Sequence, residues 1–338
     1  MTVTTLSTVD ADGDAVRSAL FDAVGRLDHA IRPVVAYHLG WCDEHGRTVT
    51  ADSGKSVRSR LAMLAARAAG GDERRAVPGA VAVELVHNFS LVHDDLMDRD
   101  ATRRHRPTVW AVWGDAVAVL AGDAMLSLAH EVLLESGSPQ AVPAALLVGR
   151  ATQDLIRGQA ADVDFERRND VRLAECVDMA AGKTAALLSA SVAVGAVLAE
   201  APPVTVSALQ TYGSEIGLAF QLVDDLLGIW GDPEVTGKPV FSDLRSRKKS
   251  LPVTWSLESG RPAGRALAQW LAQSGDPAES ELRAAADMVE TAGGRRWARA
   301  ESGRRVRAAQ RALDSAAIDP RYRRELHRLA DFIVERSA

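Results

Sequence analysis

Two aspartate-rich stretches, Asp94-Asp95-Leu96-Met97-Asp98 and Asp224-Asp225-Leu226-Leu227-Gly228, each close an apolar run that contains neither glycine nor proline, over 83–92 and 218–223. Runs without a breaker read as helices, and the carboxylates then sit toward one helix end. Residues four apart on a helix share a face, so Asp94 and Asp98 point the same way, about 6 Å apart along the axis. Like charges at that spacing do not stabilise a helix. A cation between them removes the repulsion, and hard oxygen donors favour magnesium. Magnesium held by one or two carboxylates commonly has substrate phosphates on its other side.

Basic residues cluster around the first stretch. Asp98 is followed by Arg99-Asp100-Ala101-Thr102-Arg103-Arg104-His105-Arg106-Pro107-Thr108. Pro107 cannot continue a helix, so these arginines are expected on a loop leaving the helix end. Arginine presents a planar fork of donors that suits diphosphate oxygens. Upstream, Lys55 and Arg58 lie three residues apart and share a face if that segment is helical. His87 precedes Asp94 by seven positions, about 10 Å down the helix and roughly 20° off its stripe.

The whole chain reads as all-α. Long Ala/Leu/Val segments are separated by short breaks such as Gly70-Gly71-Asp72, Ser136-Gly137-Ser138-Pro139, Glu200-Ala201-Pro202-Pro203 and Ser259-Gly260-Arg261-Pro262. With 338 residues and 47% apolar content, one large core is possible, at the upper limit for a single domain. Residues 1–14 are polar and acidic, unlike a secretory signal, and are expected to form a disordered arm before one domain over 15–338. A net charge of −5 gives no reason to expect nucleic acid as a partner. Cys42 and Cys176 are too few for a disulfide framework, which points to a reducing cytoplasm. The longest uncharged stretch, 184–199, is short of a membrane span and reads as a buried core helix. Phe89-Ser90-Leu91-Val92-His93-Asp94-Asp95-Leu96 is echoed by Phe220-Gln221-Leu222-Val223-Asp224-Asp225-Leu226, as two related helix ends would be.

Nine stretches, taken in order, resemble a known family. They are GKSVR (54–58), VELVHNFSLVHDDLMD (83–98), RRHRPT (103–108), VLAGDAML (119–126), GQAAD (158–162), GKT (182–184), FQLVDDLLGIWGD (220–232), GK (237–238) and DLRSRKKSLP (243–252). In motif, order and spacing they are similar to the head-to-tail trans-isoprenyl diphosphate synthases, or polyprenyl synthetases. The resemblance implies a large helical bundle with the two acidic motifs opposed at the mouth of a central cavity. It implies a homodimer that joins isopentenyl diphosphate to allylic diphosphates (dimethylallyl, geranyl, farnesyl) and releases pyrophosphate. It also implies Mg2+, about three ions per site with substrate bound.

Carried over position by position, the resemblance implies metal ligation by Asp94, Asp98 and Asp224, with Asp95 and Asp225 acting behind them through water or hydrogen bonds. Arg103, Lys183 and Lys238 would hold the allylic diphosphate. Lys55, Arg58, His87 and Arg104 would hold isopentenyl diphosphate, with Lys248 near the mouth. Lys183, Thr184 and Gln221 would steady the allylic cation. The chain departs from the family's GKRLRP at Ser56 and Ser59, and Gly228 stands where the second pentad usually ends in Asp. Phe89, five positions before Asp94, and Ser90 are the expected chain-length residues. An aromatic at that fifth position, in a pentad without insertion, resembles synthases that stop at geranylgeranyl diphosphate (C20); farnesyl diphosphate (C15) is the next expectation. A class I terpene cyclase would bind one diphosphate and not need the second basic set. A non-catalytic partner subunit would have lost acidic ligands.

Overall fold

The structure is a computed structural model that describes residues 10–49, 56–232 and 239–335. Lys55 and Lys238 lie outside the described residues. Those described are almost entirely helical, as the sequence predicts; the one sheet is a two-stranded hairpin of β1 (Thr102–Arg103) and β2 (Arg106–Pro107). Proline sits in the first turn of several helices, where its missing N–H costs nothing and its fixed φ suits the helix. The chain divides into two compact units.

The first unit comprises Met1–Arg150, Ala190–Ser207 and Ala317–Tyr322. It contains α1 (Asp10–Gly25), α2 (Arg32–His38), α3 (Val57–Ala68), α4 (Val77–Met97), α5 (Val109–Trp113) and α6 (Asp115–Leu134). α1 begins at Asp10, inside the segment expected to be an arm. α4 carries the first acidic motif at its end and is the centre of this unit, with Val81, Val83, Leu85 and Val86 fully buried. It lies against α6 so closely that a side chain at Gly122 would collide with His93. Glu84, also buried, accepts the Ser59 N–H at 3.0 Å. A carboxylate at the first turn of α3 satisfies an orphan donor and the positive end of the helix, and ties α3 to α4.

The second unit comprises Ala151–Ser189, Ala208–Ala316 and Arg323–Ala338. Most of α7 (Ala141–Arg167) lies here, followed by α8 (Leu173–Ala180), a π-helical turn over Ala181–Ala185, and the start of α9 (Ala186–Leu198). α10 (Pro203–Trp230) carries the second acidic motif, and α11 (Ser242–Arg245) is a single turn. α12 (Leu251–Glu258), α13 (Pro262–Leu271), α14 (Glu279–Ala292), α15 (Gly294–Asp314) and α16 (Pro320–Glu335) complete the fold. α10 contributes Leu218, Leu222 and Leu226 to one apolar cluster and Ile229 to another. Among the described residues, two helical runs are long and apolar enough to cross a membrane, Asp115–Leu134 and Leu173–Leu198. The second is 67% buried, as a core helix is.

Candidate active site

α4 ends at Met97, so Asp94 lies in its last turn and Asp98 caps it. The negative end of a helix dipole disfavours carboxylates and favours a cation beside them. Asp95 faces the other way. Buried at 2% exposure, it receives Arg103 at 2.8 Å from Nε and 2.7 Å from a terminal nitrogen. Burial works against the charge on Arg103, yet its hydrogen bonds to Asp95 hold its pKa above the usual arginine range.

The arginines expected on a loop sit instead on the β1–β2 hairpin, whose two central residues, Arg104 and His105, have φ of 50° and 61°. Two positive φ values in a two-residue turn match the twist of the strands but normally call for glycine or asparagine. The hairpin sorts the cluster by role. Arg99 pairs with Asp115, Arg103 with Asp95, and Arg106 donates to the carbonyls of Tyr37 and Cys42 while stacking on the Tyr37 ring. Arg104 alone of these four carries no ion pair or hydrogen bond among the described residues, and it is exposed.

A cleft in this unit is lined by Tyr37, His38, Asn88, Asp95, Arg103 and Arg104. His87 belongs to the same charged neighbourhood: burial, then Arg58, Arg104 and Arg103, drive its pKa well below 6.5. His38 is pushed down to about 3 by burial and by Arg103 and Arg104. Two buried nitrogens here, Arg58 Nε and His38 Nε2, have no hydrogen-bond partner among the described residues. Depressed histidines and orphaned donors among arginines are what an anion would satisfy. Sequence reasoning missed His38, which lies in no motif.

The sign of this effect makes it testable. A histidine whose pKa is lowered by folding stays neutral in the fold but protonates in the unfolded chain below pH 6.5, so its contribution to stability falls as pH drops through that value. The ring resonances of His87 are expected not to titrate between pH 6 and 8 by NMR. Inorganic pyrophosphate should raise the pKa by compensating the nearby arginines. A normal titration near 6.5 without the anion would remove His87 from this cluster.

In the second unit, Lys183 and Thr184 sit on the π-helical turn. Such turns shift side chains out of the helical register and are frequent at functional sites. Its backbone lies directly on α7: a side chain at Gly158 would strike the Lys183 backbone, and a Cβ at Gly182 would stand 2.6 Å from the Asp154 carbonyl. This approach brings Lys183 Nζ to 2.7 Å from Asp162, with Lys248 Nζ at 3.9 Å from the same carboxylate. Burial opposes the charge on Lys248, but Asp162, Asp243, Asp225 and Asp224 raise its pKa. Lys248 therefore keeps company with Lys183 and the second acidic motif. Asp162, which joins the two lysines, was visible only as the last letter of GQAAD.

Thr184 Oγ1 donates to Gln221 Oε1 at 2.6 Å, and Gln221 Nε2 donates to Asp225 Oδ1 at 2.8 Å. The other Asp225 oxygen accepts the Leu251 N–H at 2.8 Å. Asp225 is thus buried and engaged at both oxygens, as expected of a group acting behind a ligand, whereas Asp224 is exposed. Phe89 is buried with its ring edge-on to His93 at 4.9 Å, and Ser90 Oγ donates back to the His87 carbonyl at 2.7 Å.

Comparison with known proteins places the chain in a family. The polyprenyl synthetase family model matches residues 40–289. A (2E,6E)-farnesyl diphosphate synthase of Mycobacterium tuberculosis is 58% identical over 100% of this chain and 95% of its own length. A geranylgeranyl diphosphate synthase of the same species is 44% identical over 89% of this chain and 86% of its own. The crystal structure of a polyprenyl synthetase from Streptomyces coelicolor A3(2) superposes with a TM-score of 0.92 at 47% identity, covering 96% of this chain and 98% of that one. Among solved structures similar to this chain, a polyprenyl synthase from Caulobacter crescentus CB15 is complexed with calcium and isoprenyl diphosphate, and a geranylgeranyl pyrophosphate synthase from Corynebacterium glutamicum with isoprenyl diphosphate and magnesium. A match over most of the chain's length establishes that this protein belongs to the polyprenyl synthetase family and is a prenyltransferase.

Proposed function

We propose that the chain condenses isopentenyl diphosphate with allylic diphosphates and stops at a short product. The observation that carries this is the presence of two separate basic groups, Arg58–His87–Arg104 in one unit and Lys183–Lys248 in the other, each in a unit with its own acidic motif. Two anion sites suit two diphosphates, where a cyclase needs one. Arg104, His87, Arg58 and Lys55 are proposed to hold isopentenyl diphosphate, and Arg103, Lys183, Lys238 and Lys248 the allylic diphosphate.

Asp94 and Asp98 in one unit, and Asp224 in the other, each offer the oxygen ligands that Mg2+ takes, and the first two lie at the negative end of α4. When bound, the metal neutralises charge on the departing pyrophosphate. The chain's own contribution is to orient and exclude. Lys183, fixed by Asp162, directs its ammonium, and the Thr184–Gln221–Asp225 chain sets polar groups where allylic charge develops. The double bond of isopentenyl diphosphate then attacks the allylic carbon as the C–O bond to diphosphate breaks. A proton is lost to the released pyrophosphate, the acceptor the family resemblance implies. Holding both substrates in one orientation, away from water, supplies much of the acceleration.

Arg104→Ala should weaken isopentenyl diphosphate binding by roughly ten- to a hundredfold, the worth of one charge-assisted contact of about 1.5–3 kcal/mol. Stability should hardly change, because the side chain is exposed and makes no ion pair or hydrogen bond among the described residues. A rise in the allylic Michaelis constant instead would reverse the division between Arg103 and Arg104.

Two product lengths have specific support. Phe89, buried on α4 five positions before Asp94, favours C20, and the full-length 58% identity to a farnesyl diphosphate synthase favours C15. Incubating the purified chain with Mg2+, labelled isopentenyl diphosphate and each allylic primer, then weighing the products, separates them. A hydrocarbon from one substrate would overturn the synthase reading, and no turnover would support a partner subunit.

A homodimer is proposed from α6. Val119, Leu120 and Leu134 are 41%, 55% and 53% exposed on this helix. Exposed apolar side chains on one helix, with Asp123 among them, are suited to contact with a second copy. Sedimentation at the 36.1 kDa monomer mass at micromolar concentration would contradict it.

A further inference from the structure

α4 and α6 meet through the smallest residues of α6. Ala118 and Ala121 are fully buried, and Gly122 beside them brings no side chain to the contact. The gap at Gly122 is filled from α4. A Cβ built there would collide with the His93 imidazole at both Nε2 and Cδ2. The ring therefore occupies the place where any other residue would carry its first side-chain carbon.

Within the gap the ring has one orientation. His93 Nε2 lies 3.1 Å from the carbonyl oxygen of Val119, three positions before Gly122 on α6. A carbonyl only accepts, so Nε2 carries the hydrogen and donates it. The Asp123 carboxylate, 3.9 Å from the same nitrogen, is too distant for a hydrogen bond and mostly exposed. His93 is thus held at its tip by the α6 backbone and on its flank by the close approach at Gly122.

Phe89 stands four positions before His93 on α4, so the two side chains share a face. Their ring centroids are 4.9 Å apart at an interplanar angle of 74°, an edge-to-face pair. Such a pair gains from its geometry beyond the area it buries. Any swing of the Phe89 ring out of its place breaks this edge contact or drives the imidazole off Val119. The position of the Phe89 ring is therefore tied, through His93, to the backbone of α6.

We propose that His93 helps determine product length: anchored on α6, it holds the Phe89 ring across the path of the growing prenyl chain. This rests on the reading of Phe89 as the pocket floor. His93 is then a positioning residue that acts through Phe89 and needs no contact with substrate. Gly122 belongs to the same arrangement, because a side chain there would expel the imidazole.

The test weighs the products that the purified full chain makes from isopentenyl diphosphate and dimethylallyl diphosphate with Mg2+, compared at equal turnover. His93→Ala should raise the share of product longer than the wild-type length by about tenfold, the weight of one aromatic pair. Gly122→Ala leaves both rings in the chain but drives the imidazole from its gap, and should shift the lengths the same way. The double variant should shift them no further than His93→Ala alone, because no imidazole is left to expel; a larger shift would overturn the link between the two residues. A merely structural loss lowers the yield of every length together and leaves their ratio unchanged. Unchanged lengths in either single variant, with longer products from Phe89→Ala, would overturn this inference and leave Phe89 as the floor. Unchanged lengths in all three would overturn both. Longer products from His93→Ala but not from Phe89→Ala would also overturn it, because His93 would then be the floor itself. If His93→Ala fails to fold, Gly122→Ala decides: unchanged lengths in that variant, folded, overturn the proposal.

Discussion

Asp94→Ala and Asp224→Ala are each expected to lower turnover by about a hundred- to a thousandfold, the range seen when one preorganised group that stabilises transition-state charge is removed. Neither change should cost much stability, because Asp94 stands at the unfavourable negative end of α4 and Asp224 is exposed. Removing a carboxylate from the negative end of a helix relieves repulsion, so the melting temperature of Asp94→Ala should hold or rise. Its neighbour should behave differently. Asp95→Ala leaves Arg103 without its partner in a site where only 30% of the arginine side chain meets solvent. Breaking a fully buried pair costs roughly 3–5 kcal/mol, and partial exposure reduces this to about 2 kcal/mol. Adjacent aspartates should therefore separate cleanly, one losing turnover at full stability and the other losing stability. Steady-state kinetics at graded Mg2+ together with denaturant unfolding would show it. Near-normal turnover of Asp94→Ala with unchanged Mg2+ dependence would remove Asp94 from the metal assignment.

Phe89→Ala is expected to shift the product beyond the length that the unaltered chain makes. Helical side chains tilt toward the N-terminus, so a residue about 7.5 Å upstream of Asp94 can close the floor beneath a chain growing past the acidic motif. Ser90, the other candidate, turns its hydroxyl back onto the His87 carbonyl and adds little bulk. Phe89, 5% exposed and with its ring edge-on to His93, is therefore the residue proposed as the floor. Truncating a buried phenylalanine costs about 3–5 kcal/mol, so Phe89→Leu provides a milder companion. Mass analysis of products reads both. If the alanine variant folds and still stops at the original length, the floor belongs to another helix.

What was legible in the sequence follows local rules. The helices announce themselves through runs of 3.6-residue formers between Gly and Pro breaks, and the carboxylates at 94, 98 and 224 lie where those runs end. The residues proposed for anions and metal could be named from the sequence because motif and spacing along one chain carry the resemblance. Lys55 and Lys238, named on the same grounds, fall outside the described residues.

The tertiary structure decided matters that depend on segments far apart in the chain. No turn signal marks Arg104 and His105 for positive φ; the hairpin holds them there because Arg106 and Pro107 are tied to Tyr37 and Cys42. The π-helical turn under Lys183 has no sequence period, since it is set by the backbone of α7 pressing at Gly158 and Gly182. The same holds for His38 beside Arg103, for Asp162 between two lysines, and for Asp243 in the space of Gly228. Sequence by itself determined which elements form and which charges they bear, because helix propensity and breaker residues act over a few neighbours. Which carboxylate pairs, which arginine stays available and which residue fills a gap were settled by packing, because those choices depend on surfaces that meet only once the chain is folded.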